Sequence, residues 1–201
     1  MATLTFPSSI IPMRTEWALE SNSQSFSSPL SRSIQTRELT GSRWLASMVF
    51  TDLSNTDARV LAAFLAQLRG MSGRFFLFDY AHRTPRGVGT GTPLVNGASQ
   101  TGTSLITDGW TPSQTNILRA GDYVEFNNEL KIITADVNSD GGGNATLTIE
   151  PPMRSSPSNN AVITVNDAPA TMMLRDDGQA KWANRPGVFS SFSVSAVEAF
   201  Q

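Results

Sequence analysis

The chain has 201 residues, 39% of them hydrophobic and 16% charged, and a net charge of −2. That length fits one large domain or two small ones, the composition supports a packed core, and the near-neutral balance offers no broad attraction to nucleic acid or an acidic membrane surface. The absence of cysteine excludes disulfides, thiolate nucleophiles and cysteine-ligated zinc.

The N-terminal MATLTFPSSIIPMRTEWALE lacks a basic start followed by an apolar block and does not read as a secretory signal. No apolar run approaches the ~20 residues of a membrane-spanning helix. The expectation is a protein made in a cytoplasm and used without general secretory export. Ser25 to Gly41, SFSSPLSRSIQTRELTG, is serine-rich and weakly charged, which suits a surface that packs against a copy of itself or lines a channel. Trp44, Ala46, Met48 and Phe50 then alternate with Leu45, Ser47 and Val49, predicting a strand with one buried face.

Leu53 to Gly73 predicts a helix. Ser54 or Asn55 can cap it, Asp57 suits the first turn, and Val60, Leu61, Phe64, Leu65 and Leu68 space as one buried face. Gly70 can end it with a positive φ. RFFLFDY, Arg74 to Tyr80, reads as an aromatic strand after the helix.

The texture changes from His82 to Thr115, which is rich in Gly, Thr, Pro and Asn with short apolar beads at Leu94-Val95 and Ser104 to Ile106. Short strands are expected at Tyr123 to Phe126, Leu130 to Thr134, Ala145 to Glu150 and Ala161 to Val165, a spacing that suggests a small barrel or sandwich. Val188 to Phe200 alternates apolar and serine positions, as a long half-buried strand does. The fold expected is mainly β with one helix, and the domains are 1–83 with 170–201, discontinuous, and an all-β module at 84–169 inserted between them. Insertion requires neighbouring exit and return points, so RFFLFDY and Ala170 to Arg175 should be adjacent.

Chemistry is thinly supported. Asp122, Glu125, Glu129 and Asp136 crowd into GDYVEFNNELKIITAD and invite a two-carboxylate reading. Strand alternation and an Asn127-Asn128 two-residue turn make a hairpin with its acids chiefly toward solvent the better account. NSDGGGN lacks the alternating acids of a calcium loop and the GK[ST] of a phosphate loop and reads as a flexible turn. His82, the sole histidine, would have to be the base of any Ser/His/Asp hydrolase; a strand exit at the domain junction is the plainer role. No catalytic residue, metal ligand or cofactor is expected. Trp110, in TDGWTPS, is the exposed contact anticipated, with Arg32 and Arg37 as further interface or ligand contacts.

An N-terminal run of strands, LSNTDARVLAAFLAQLRG, RFFLFDY, a β module punctuated by GDYV and LTIEPPMR, then strands to the C-terminus: this layout resembles the distal tail proteins of long-tailed bacteriophages. The likeness is to the form in which a small oligonucleotide/oligosaccharide-binding-type barrel is inserted into a tail-tube-like β-sandwich ring domain. The resemblance implies a homo-hexameric ring at the distal end of the virion tail. That ring contacts the tail tube and the hub and can carry receptor-binding proteins or fibres, and DNA passes through it without specific binding. A carbohydrate-binding tail-tip module or adhesin is the alternative, and a glycoside hydrolase a remoter one.

Overall fold

The computed structural model describes residues 3–185 and 189–200. In chain order the strands and helix are β1 (Leu4–Thr5), β2 (Arg14–Glu20), β3 (Ser23–Ser27), β4 (Ile34–Glu38), β5 (Arg43–Leu53), α1 (Asn55–Leu68), β6 (Phe75–Phe78), β7 (Gly91–Val95), β8 (Gly102–Trp110), β9 (Tyr123–Phe126), β10 (Glu129–Ile133), β11 (Ala145–Met153), β12 (Pro169–Leu174), β13 (Trp182–Arg185) and β14 (Phe189–Glu198). The protein is mainly β with a single α-helix among the described residues.

The helix forms where its local signals place it. Ser54 Oγ accepts from the Asp57 amide at 3.1 Å, and the helix closes through Arg69 and Gly70, both at positive φ. Its buried face is Ala58, Leu61, Phe64, Leu65 and Leu68. Val60, expected on that face, is 44% exposed; Ala58, one turn before Leu61 and Ala62, takes the place instead because the stripe drifts around the helix at 3.6 residues per turn. Phe64 meets Phe6 and Phe75 edge-on at centroid separations of 5.2 and 5.6 Å, a favoured geometry for aromatic pairs.

The helix covers one face of a seven-stranded sheet ordered β1-β6-β12-β14-β5-β2, with β13 beside β14. Trp44, Ala46, Met48 and Phe50 all point into the core beneath it. On β14, Phe192, Val194 and Ala196 do likewise; Val188, the first residue of the expected strand, lies outside the described residues. Strands β6 and β12 are antiparallel neighbours, Phe78 opposite Pro169 and Leu77 opposite Ala170, so the chain leaves and re-enters this sheet side by side.

Residues between β6 and β12 build a second core around Leu105, Trp110, Phe126, Leu147 and Ile149. The five strands run β7-β8-β11-β10-β9. The segment 160–165 bridges both outer edges, Val162 to Leu94 on β7 and Thr164 to Glu125 on β9. It thereby curls the strip into a barrel, with six segments where an oligonucleotide-binding-type barrel has five. The Asn127-Asn128 turn joins β9 to β10 with φ of 55° and 60°, the mirror-image turn whose twist matches a hairpin. NSDGGGN is more ordered than its glycines suggest: Asp140 Oδ1 accepts from the Gly142 and Asn144 amides at 2.8 Å each. At the neck, Arg83 grips Asp167 through two hydrogen bonds of 2.7 and 3.0 Å.

Candidate assembly surface

Three features stand apart from the two cores: an arm, a bare sheet face and a groove. The arm is the β3-β4 hairpin. Ser23 pairs with Glu38 and Ser27 with Ile34, and every one of its ten strand residues is exposed on both faces. Phe26 is 64%, Ile34 68% and Leu30, at the tip, 97% exposed. The tip is shaped locally: the Ser28 amide bonds Ser33 O and the Arg32 amide bonds Ser28 O, both at 2.9 Å, with Arg32 at φ 57°. The base is pinned by Leu39 N to Asn22 O at 2.8 Å and Asn22 Nδ2 to Thr40 O at 2.7 Å. A two-stranded ribbon with no core beneath it is only marginally stable by itself in water.

The sheet face opposite the helix carries Arg14, Glu16 and Ala18 of β2, in register with Val49, Ser47 and Leu45 of β5 and with Ser193, Ser195 and Val197 of β14. Its charges are matched locally, Arg14 with Glu16 and Arg43 with Glu20, the latter at 2.7 Å. Among the described residues no strand pairs with the outer edge of β2, which leaves a row of backbone donors and acceptors free for a further strand.

The groove, with a volume of about 720 Å3, lies between the arm base, the Asn127-Asn128 turn, the end of β11 and the chain end at Ala199-Phe200. Glu129 and half-buried Arg154 line it, buried Lys131 and Glu198 pair with them, and the Arg154–Glu198 pair ties the barrel to the sheet. Lys131 Nζ is 2.7 Å from Glu129 and bonds Pro152 O at 3.0 Å. Arg154 Nη2 reaches Glu198 Oε1 at 2.7 Å, and Glu198 Oε2 accepts from the Trp44 amide at 3.0 Å. Burial pushes the Glu129 carboxyl up, but Lys131 and the Arg154 amide and charge more than offset this and hold it below the usual range. For Lys131 burial wins, and its ammonium sits below the ordinary lysine value despite Glu129. Arg154 Nη1 is buried without an acceptor.

Trp44 completes the junction. Its indole Nε1 donates to Leu130 O at 2.9 Å, and its ring meets Tyr123 of the barrel edge-on at 5.5 Å. Burial, and secondarily Asp79, push the Tyr123 phenol to about 12. His82 joins the same corner, Nδ1 2.6 Å from Asp79 Oδ2 and its ring against Tyr123, which is the strand-exit role expected for it.

The other singled-out residues fall out differently. Trp110 is 3% exposed and its indole bonds Thr107 Oγ1 at 2.8 Å; it is core, because barrel closure turns the end of β8 inward, and the expectation of an exposed contact is corrected. Arg32 and Arg37 are exposed on the arm, with no ion pair among the described residues. The acids of GDYVEFNNELKIITAD do not all face solvent: Asp122 and Glu129 are buried. Asp122 accepts from the Arg86, Gly87 and Arg119 amides at 2.8, 3.2 and 2.7 Å, a loop clamp that turns toward buried donors. Glu125 accepts from the Asn128 amide at 2.9 Å, with burial first raising its pKa, while Asp136 stays exposed and holds the Ala120 amide at 2.9 Å. Each carboxylate thus has a local structural partner. No family model matches this chain, and no curated protein matches it.

Proposed function

We propose that the chain is a structural virion subunit, one copy of a ring at the distal end of a long-tailed bacteriophage tail. In this reading the ring joins the tail tube to the hub and host-recognition parts. It is a homo-oligomer, hexameric by the family likeness, and it assigns the chain no catalytic chemistry. The observation that carries the reading is the unsupported Ser23–Glu38 arm beside the free edge of β2. An arm without a core and a strand without a neighbour are both completed by another copy, and cyclic closure completes them without open-ended growth.

The bare sheet face supports the second half of the reading. A channel that passes DNA must not hold phosphates, and unpaired Lys or Arg would do so. Charges that are paired locally, as on this face, suit such a lining. The carbohydrate-binding alternative loses its nominated residue, since Trp110 is core.

Negative-stain electron microscopy of the concentrated full chain should show rings with a central channel. Replacing residues 24–37 by a two-residue Asn-Gly turn should abolish those rings while leaving the thermal midpoint of the monomer unchanged, because the arm touches neither core. A protein that stays monomeric at all concentrations, or rings that persist without the arm, would count against the reading.

A further inference from the structure

The arm and the groove are complementary halves on one chain. The arm tip offers one large apolar side chain in water, Leu30, beside the guanidinium of Arg32, which has no ion pair among the described residues. The Pro29 and Leu30 carbonyls accept no hydrogen bond among the described residues. The groove offers the reverse set: Leu39, Met153, Pro152 and Phe200 as apolar lining, and Glu38 on its rim. Glu38 likewise has no ion pair among the described residues. Arg154 stacks on Phe200 in this lining, its guanidinium 4.4 Å from the ring centroid.

We propose that the groove receives the arm tip of a second copy of this chain, Leu30 on the apolar lining and Arg32 beside Glu38 of that copy. The inference rests on the ring reading and names the surface through which the ring forms. A chain's own tip does not fill its own groove. Glu38 is at the arm base, and five extended residues carry the tip roughly 17 Å away from it. The contact is therefore head-to-tail, tip of one copy to groove of the next, which is the kind of interface that generates rings when its rotation closes. The groove volume is within the ~300–1,000 Å3 of pockets that hold compact ligands, large enough for a hairpin tip led by a leucine. Opposite charges at the rim fix which way the arm enters.

Two substitutions test this on the full chain. Arg32→Glu sets two carboxylates against each other, and Glu38→Arg sets two guanidiniums together. Each should raise the dissociation constant for self-association by at least about tenfold, and the double variant should return it to within a few-fold of the parent. All these positions are exposed, so thermal midpoints should not move. Because the chain has no cysteine, the pair Leu30→Cys with Thr40→Cys, on the tip and the groove lining, adds the only thiols. Oxidation of the assembled protein should give a disulfide ladder up to the ring size on a non-reducing gel, against dimers at most for either single variant. Rings that assemble normally in Arg32→Glu, or that give neither rescue nor ladder, overturn the groove while leaving the ring reading intact. A parent chain that never self-associates overturns both.

Discussion

Replacing Lys131 by methionine lowers the unfolding free energy by about 3 kcal/mol, at the low end of the ~3–5 kcal/mol expected when one partner of a buried ion pair is removed. The reason is geometric. Lys131 is fully buried, its ammonium 2.7 Å from Glu129 and 3.0 Å from Pro152 O, and methionine preserves the packing while removing the charge. Glu129 keeps the Arg154 amide at 3.1 Å and the Ser155 amide at 3.3 Å, which is why the loss stays near the lower bound. The double variant Glu129→Gln/Lys131→Met should recover most of it, because no uncompensated charge then remains. Urea unfolding of the parent, both single variants and the double variant measures the coupling; a Lys131→Met loss below about 1 kcal/mol would show that the pair does not stabilise the fold.

The same pair predicts an acid response. Glu129 titrates lower in the folded protein than in the unfolded chain, so its contribution is present above the unfolded value of about 4.3 and is lost as the pH falls through the lower folded value. Stability should decline as pH drops from 5 to 3, and the slope should be shallower in Glu129→Gln. Equal slopes in the two proteins would place the acid sensitivity elsewhere.

The second large effect is at Trp44. Its alanine variant removes a buried ring, at about 3–5 kcal/mol, and also the edge-on contact to Tyr123 and the hydrogen bond to Leu130 O. Because those contacts cross from sheet to barrel, Trp44→Ala should also split a single unfolding transition into two as the cores lose their coupling. Trp44→Phe keeps most of the ring and leaves only the Leu130 carbonyl unpaired, at about 1–2 kcal/mol, with one transition retained. Calorimetry separates these outcomes, and a single unshifted transition in Trp44→Ala would refute the coupling.

Local features were legible because their causes are local. The Ser54 cap, the Arg69-Gly70 end and the Asn127-Asn128 turn are dictated by a few adjacent dihedrals and donors, and each forms where the residues place it. Strand β5 declared its buried face by strict alternation, and the adjacency of β6 and β12 followed from the change of texture at residue 82. The arm was not legible as a hairpin: both of its faces are largely polar, with Phe26 on one and Ile34 on the other, so no period of two marks it.

Burial of polar groups is where the tertiary structure took over. Nothing near Trp110 announces that β8 ends inside a barrel; that is decided by segment 160–165, some fifty residues later, bridging β7 and β9. Glu129 looks like the wet side of a hairpin until the end of β11 brings the Arg154 amide to it, while Arg154 reaches Glu198 across the junction. Pattern along the chain determined the elements, the single helix, the mainly-β class and the inserted layout, because these depend on side-chain period and on turn chemistry. Which acids are buried, which tryptophan is core and where a groove opens beside an arm depend on contacts between residues far apart in the chain, and only the docking of barrel on sheet decided them.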